Sequence, residues 1–396
     1  CQRFKFIART TLFIIVFSMS PAIYSATGRV NVDSAGAIAN NQSYSPSINS
    51  DGRYIAFASP ANNLVEDDTN GMFDIFVHDR KTNTTRRISI SPEGAEGNKN
   101  SLYPSISANG CDVAFESDAS NLTAEDSNGR SDIFIYNCET KHSERVSIST
   151  TGEQANDASE TPSLSAEGRY VAFTSRASNL VADDTNEKTD VFVFDRETHE
   201  IERASSNSEG AEGNDASQSP SISENGRLVA FESKARNLSP NDANGKTDIF
   251  IYNRETKVTE RISVDSTGIE GNGNSTNPSI SANGRYVSFE SKASNLVDND
   301  SNEEADIFIH DLETRTTQRI SIDSVGAEGN GFSASPSISS DGRFVAFKSA
   351  ASNLVPTDTN GIFDIFVHDR DSGETQRVSV NSSGFEGNNS SETPTI

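Results

Sequence analysis

Six times along this chain an Asp-x-Asn-x-x-x-Asp pattern recurs. The copies are Asp68, Asn70, Asp74; Asp126, Asn128, Asp132; Asp184, Asn186, Asp190; Asp242, Asn244, Asp248; Asp300, Asn302, Asp306; and Asp358, Asn360, Asp364. Side-chain oxygens on alternating residues suit a hard divalent cation. Ca2+ takes roughly six to eight oxygens at about 2.3–2.6 Å, often from a loop that turns sharply on a glycine. The first copy offers the fullest set, with Glu66, Asp68, Asn70 and Asp74 around Gly71. In the fifth, Asp298 supplies the same leading acid, but Glu303 stands where the glycine was. The remaining copies lack that acid, and Glu187 replaces the glycine in the third. A second chemistry fits the same residues. Asp and Asn oxygens cap turns by accepting nearby backbone N–H groups, with no metal involved. Both readings stand at this point, Ca2+ being the one cofactor the sequence suggests.

The elements that would position these residues are repeats. A Pro-Ser-Ile-Ser-like motif starts at Pro46, Pro104, Pro162, Pro220, Pro278 and Pro336, always 58 residues on, and Pro394 opens a further copy that reaches Ile396. Fixed-period self-similarity is the mark of repeat architectures. Each copy holds four strand-like runs, in the first Ser47–Asn49, Tyr54–Phe57, Asp74–His78 and Arg87–Ile90. Asp51-Gly52 is a tight-turn signal between the first two, and no window carries a sustained helical period. Four short antiparallel strands repeated radially predict an all-β fold, a β-propeller of four-stranded antiparallel blades. A β-sandwich is the alternative, but sandwiches do not repeat a four-strand unit six times.

The stretches Ser339-Ser340-Asp341-Gly342-Arg343-Phe344-Val345-Ala346-Phe347 and Asp364-Ile365-Phe366-Val367-His368-Asp369 carry a likeness. The motif resembles the repeat of the TolB-type propeller family, over residues 29 to 396. It departs from that family in its longer loops and in an Ile between the serines. The resemblance implies an exported bacterial propeller, without implying that family's own partners. The Asp/Asn loops look like the calcium loops of other propellers.

Arg29-Val30-Asn31-Val32 lies 58 residues before Arg87-Ile88-Ser89-Ile90, as a lone fourth strand, and residues 394–396 start a lone first strand. A six-bladed ring with ragged ends and a seven-bladed ring lacking two strands both fit this pattern. In up-and-down blades the second-to-third and fourth-to-first connections emerge on one face. Here those are the long acidic loops, the second including Gly94–Asn98, and binding chemistry usually sits on loops held by a rigid scaffold. The arginines before each fourth strand, Arg87 to Arg377, are expected to pack on a neighbouring blade or pair with an acid.

Arg3, Lys5 and Arg9 precede the apolar run Leu12–Phe17 and then small residues, which reads as a signal peptide over residues 1–26 with the propeller over 27–396. The run is shorter than the ~20 residues of a membrane span. A net charge of −25 over 396 residues argues against nucleic acid and for basic partners or cations. Cys111 and Cys138 fall in one repeat where most copies have Arg, at strand ends that antiparallel pairing brings together; a disulfide is expected, as suits an exported protein. No nucleophile elbow, zinc motif, phosphate loop or C-x-x-C is present. The sequence therefore predicts a monomeric, periplasmic or extracellular, non-enzymatic scaffold that binds a protein or glycan of the envelope. A calcium-stabilised structural propeller and a glycan- or peptide-cleaving enzyme are the alternatives.

Overall fold

The computed structural model describes residues 27–396 except 125 and 241; the signal-peptide stretch 1–26 lies outside the described residues. Blade 1 comprises β1 (Tyr44–Ile48), β2 (Tyr54–Ser59), β3 (Asp74–Asp79) and β4 (Thr84–Arg87), paired in that order and all antiparallel. Five further four-stranded sheets repeat this order, from Ser101–Arg145 in blade 2 to Ser333–Arg377 in blade 6. Pro46 has no N–H to give the ladder, so β1 carries a bulge there, with Ser45 turned to φ 49°.

The core lies between blades. Phe57 and Phe76 stack across β2 and β3 with ring centroids 5.9 Å apart, and the same pair recurs in every blade. Ile75, Val77 and Ile88 of blade 1 pack against Val113, Phe115 and Phe134 of blade 2. Both faces of the middle strands are thus buried, which explains their continuous apolar runs.

The first strands surround a central cavity of about 730 Å³ lined by Ile48, Ile106, Leu164, Ile222, Ile280 and Ile338. Successive first strands are hooked together: the Ile106 N–H donates to Ser47 Oγ at 3.1 Å, Leu164 to Ser105 at 3.0 Å, and Ile222 to Ser163 at 3.1 Å. Ile396 makes the same bond to Ser337 at 3.3 Å.

Residues 27–34 join blade 6 to blade 1. The Thr27 hydroxyl donates to Val380 O at 2.7 Å and its N–H to Ser382 Oγ at 3.1 Å. Thr85 makes the same two bonds, to Val32 O at 2.5 Å and Ser34 Oγ at 3.1 Å.

On the tight-turn side, Arg53 grips Asp79 with two bonds of 2.9 and 2.6 Å across β2 and β3, as Arg169 grips Asp195 and Arg343 grips Asp369. Blade 2 has the disulfide Cys111–Cys138 at this end instead, with Cα atoms 4.9 Å apart. The link spans 27 residues, a loop for which the chain-entropy model gives about 3.5 kcal/mol. Cys111→Ser/Cys138→Ser is expected to lower the melting temperature by on the order of 4 °C. Alkylation of the unreduced protein should leave both cysteines unmodified; modification of either would show an open thiol pair.

Candidate functional site

The two long loops of each blade meet over the start of its third strand. In blade 1, Glu96 of the fourth-to-first loop accepts the Thr69 hydroxyl at 2.6 Å and the Thr69 N–H at 3.0 Å, on the second-to-third loop. Asn70 closes the local turn by accepting the Met72 N–H at 2.6 Å, and its amide donates to Gly97 O at 2.7 Å. Its oxygen is therefore committed to the turn. Asp74 is fully buried at the head of β3, where Oδ1 accepts the Ser89 hydroxyl at 2.5 Å.

The other carboxylate oxygens converge on Arg87. Its Nη1 lies 3.5 Å from Asp68 Oδ2, 3.5 Å from Asp74 Oδ2 and 3.1 Å from Glu96 Oε2, and Nη2 donates to Asp67 O at 3.2 Å. Two of the four proposed ligands of this loop, Asp68 and Asp74, come together. Glu66 sits exposed at the surface and Asn70 points into its turn.

The arrangement repeats. Arg203 faces Asp184 and Glu212; Arg261 faces Asp242, Asp248 and Glu270; Arg319 faces Asp300, Asp306 and Glu328; Arg377 faces Asp358, Asp364 and Glu386. Asp190 accepts from Ser205 at 2.5 Å. Asn128, Asn186, Asn244, Asn302 and Asn360 all cap their turns as Asn70 does. Exposed Asp298 lies apart from the Arg319 group. In blade 2, Gln154 replaces the glutamate and donates to Asp126 at 3.0 Å and Asp132 at 2.8 Å beside Arg145.

Burial pushes Asp74, Asp248 and Asp306 up to about 6, against the opposing pull of the serine hydroxyl and the guanidinium. It lifts Asp184 to about 6 as well, with the Asp190 charge adding to the rise. Glu96 is partly desolvated, but the hydroxyl and amide of Thr69 hold it below the usual range.

In three blades the acids offer oxygens within 4.8 Å of one another: Asp68, Asp74 and Glu96; Asp300, Asp306 and Glu328; Asp358, Asp364 and Glu386. That donor set suits a hard cation. In this structure an arginine supplies the positive charge among them.

Sequence reasoning did not assign the glutamates to this cluster, although Glu96, Gln154, Glu212, Glu270, Glu328 and Glu386 recur at the repeat period. It also passed over acids within second strands. Glu116 Oε2 accepts the Thr161 N–H of the next blade at 3.2 Å, and Glu232 Oε2 accepts that of Asn277 at 2.8 Å. Burial pushes Glu116 up to about 7. An acid inside the run Val113-Ala114-Phe115-Glu116 was the available signal. His78, His310 and His368 are buried, each with Nδ1 at 2.9 Å from a threonine hydroxyl, and serve packing.

Six complete blades with arginine-centred acid clusters under one set of loops make this chain a six-bladed β-propeller. No family model matches the chain, and no curated protein does. Solved structures do. The β-propeller domain of the Trilobed protease from Pyrococcus furiosus, described as having an open velcro topology, aligns with a TM-score of 0.52 at 16% identity, over 85% of this chain and 84% of that one. An oligogalacturonate lyase in complex with manganese aligns with a TM-score of 0.52 at 13% identity, over 85% and 76%. TolB from Acinetobacter baumannii aligns with a TM-score of 0.45 at 16% identity, over 77% of this chain and 59% of that one. What the first two share with this chain is the fold.

Two outcomes follow from the clusters. Asp74, Asp248 and Asp306 titrate near 6 in the folded protein and near 3.9 when unfolded. The folded state therefore holds more protons on these acids between those values, so their contribution to stability should rise as pH falls from about 8 to about 5, while His78, His310 and His368, which burial holds below the usual histidine range, oppose it. Melting curves of the wild type and of Asp74→Asn/Asp248→Asn/Asp306→Asn across that range check it: the wild type should gain on the variant as pH falls, and a flat or opposite difference would contradict it. Arg319→Gln should cost about 3 kcal/mol at pH ~8 by leaving buried acids uncompensated. The penalty should shrink near pH ~5, as Asp306 takes a proton.

Proposed function

We infer that the chain is an exported, non-enzymatic scaffold of the bacterial envelope that takes a basic protein partner on its long-loop face. One observation carries the reading. Each blade's buried acids meet an arginine of the same blade, while the loop-tip acids Glu66, Asp67, Asp183, Glu187, Asp298 and Glu303 stay exposed and make no ion pair among the described residues. Their charge faces outward, and carboxylates rimming a rigid face attract and steer cationic partners. The disulfide supports an oxidising compartment, and the repeat's resemblance to the TolB-type family supports a bacterial one.

A calcium-binding propeller is the second reading, favoured by the three acid groups with oxygens within 4.8 Å. In it, Ca2+ competes with the arginine for the same carboxylates.

The immobilised mature protein, exposed to envelope extract, should retain a basic protein at low salt and release it at about 0.5 M NaCl. Changing Glu66, Asp67, Asp183 and Glu187 together to Gln or Asn should abolish retention without lowering the melting temperature. Retention by that variant would refute the assignment of the face, and turnover of glycan or peptide substrates would refute the non-enzymatic reading. A Ca2+-dependent rise in wild-type melting temperature would favour the second reading.

A further inference from the structure

Blade 4 departs from its sister blades at one place on the tight-turn side. In blades 1, 3, 5 and 6 an arginine just before the second strand grips the aspartate that ends the third: Arg53 and Asp79, Arg169 and Asp195, Arg285 and Asp311, Arg343 and Asp369. Blade 2 has lost both members, to Cys111 and Asn137. Blade 4 has lost only one. Asn253 stands in the aspartate's place, and Arg227 keeps its charge with no ion pair or side-chain hydrogen bond among the described residues.

Arg227 and Asn253 line a cavity of about 470 Å³ between blades 4 and 5, together with Leu228, Ile251, Val258 and Leu312. At the equivalent places between blades 3 and 4 and between blades 5 and 6, Arg254 lies over the Tyr170 ring and Arg370 over the Tyr286 ring, each 4.2 Å from the centroid. Here Leu312 and Leu228 replace that stacked pair. Val258 is 46% exposed where other copies carry Thr84, His142, Glu200, Thr316 or Glu374. The remaining charges on the cavity wall are already matched: Glu260 lies 3.2 Å from Arg315, Glu313 lies 2.7 Å from Arg285, and Arg285 also holds Asp311. The wall is therefore apolar with one uncommitted guanidinium, and its volume falls in the range of about 300–1,000 Å³ that small-molecule sites occupy.

We propose that this cavity binds a small carboxylic acid with an apolar body. The ligand's carboxylate takes the place beside Arg227 that Asp79, Asp195, Asp311 and Asp369 hold in their own blades, in a charge-assisted and commonly bidentate pair. Its apolar body lies on Leu228, Ile251, Val258 and Leu312 and removes Val258 from water. A guanidinium beside an apolar wall selects the acid over an alcohol or an amine of the same length. The cavity lies at the opposite end of the strands from the acidic loops, and the proposal does not depend on the function assigned to them.

The probe is octanoate, titrated calorimetrically into the mature protein. It should bind one-to-one, octanol should not bind, and hexanoate, two methylenes shorter, should bind about tenfold more weakly. Arg227→Gln and Asn253→Asp should each weaken octanoate binding by at least about tenfold. The second variant rebuilds the internal grip, so its melting temperature should be unchanged or higher, which separates loss of the site from loss of the fold. Arg176→Gln, at an exposed arginine of the second-to-third loop of blade 3, should leave affinity unchanged. The proposal is overturned if about 5 mM octanoate gives no binding heat, if octanol binds as tightly, or if either cavity variant binds like the wild type. It is also overturned if a short peptide ending in leucine binds more tightly than octanoate, since the cavity would then take a chain terminus.

Discussion

A four-stranded sheet of this size cannot hold itself together, and the contact that holds these sheets is the packing of one blade's middle strands on the next. Strands of four to six residues bury too little surface alone to offset their conformational entropy. The Phe57–Phe76 pair and its repeats fill each blade, while residues such as Ile75 and Val77 seal against the aromatic rings of the neighbour. Most of the paired charge is consequently placed at the two ends of the strands. There it is managed differently: by arginine–aspartate grips on the short-turn side, and by arginine-centred acid clusters under the long loops.

This division explains what could be read from the residues alone. The 58-residue period, the four strands and the shared side of the long loops follow from local pattern, and Cys111 and Cys138 were legible because two changes fell in one repeat at facing strand ends. The partnership of Arg87 with an acid was also within reach. Which acids it meets was not. Asp68, Asp74 and Glu96 are brought together by the return of the fourth-to-first loop over the second-to-third, as in the bonds from Thr69 to Glu96, and no spacing rule encodes that fold-back. The same oxygens read as a calcium loop in sequence because Asp and Asn suit cation and turn alike. Only the geometry shows Asn70 spent on a backbone N–H and a guanidinium among the carboxylates.

Glu116 and Glu232 stand out in the sequence, but their partners were hidden for another reason. An acid within an apolar strand suggests a solvent-facing position, whereas each reaches a backbone N–H of the following blade, beside a bulge with positive φ at Thr161 or Asn277. Their role belongs to an interface, and a single repeat read in isolation does not contain it.

The placement of the buried counter-ion has a consequence for how such a protein can change in size. Asp68, Asp74, Arg87 and Glu96 all lie within one 58-residue unit, so a unit copied or lost in the gene takes its own guanidinium with it. Within these clusters a copied or lost unit leaves no arginine-centred group of a neighbour unmatched, and a point change such as Gln154 stays inside its own cluster. For the clusters under the long loops, the group that balances its own charge and the group that is inherited together coincide, which frees each copy's loop tips to diverge independently.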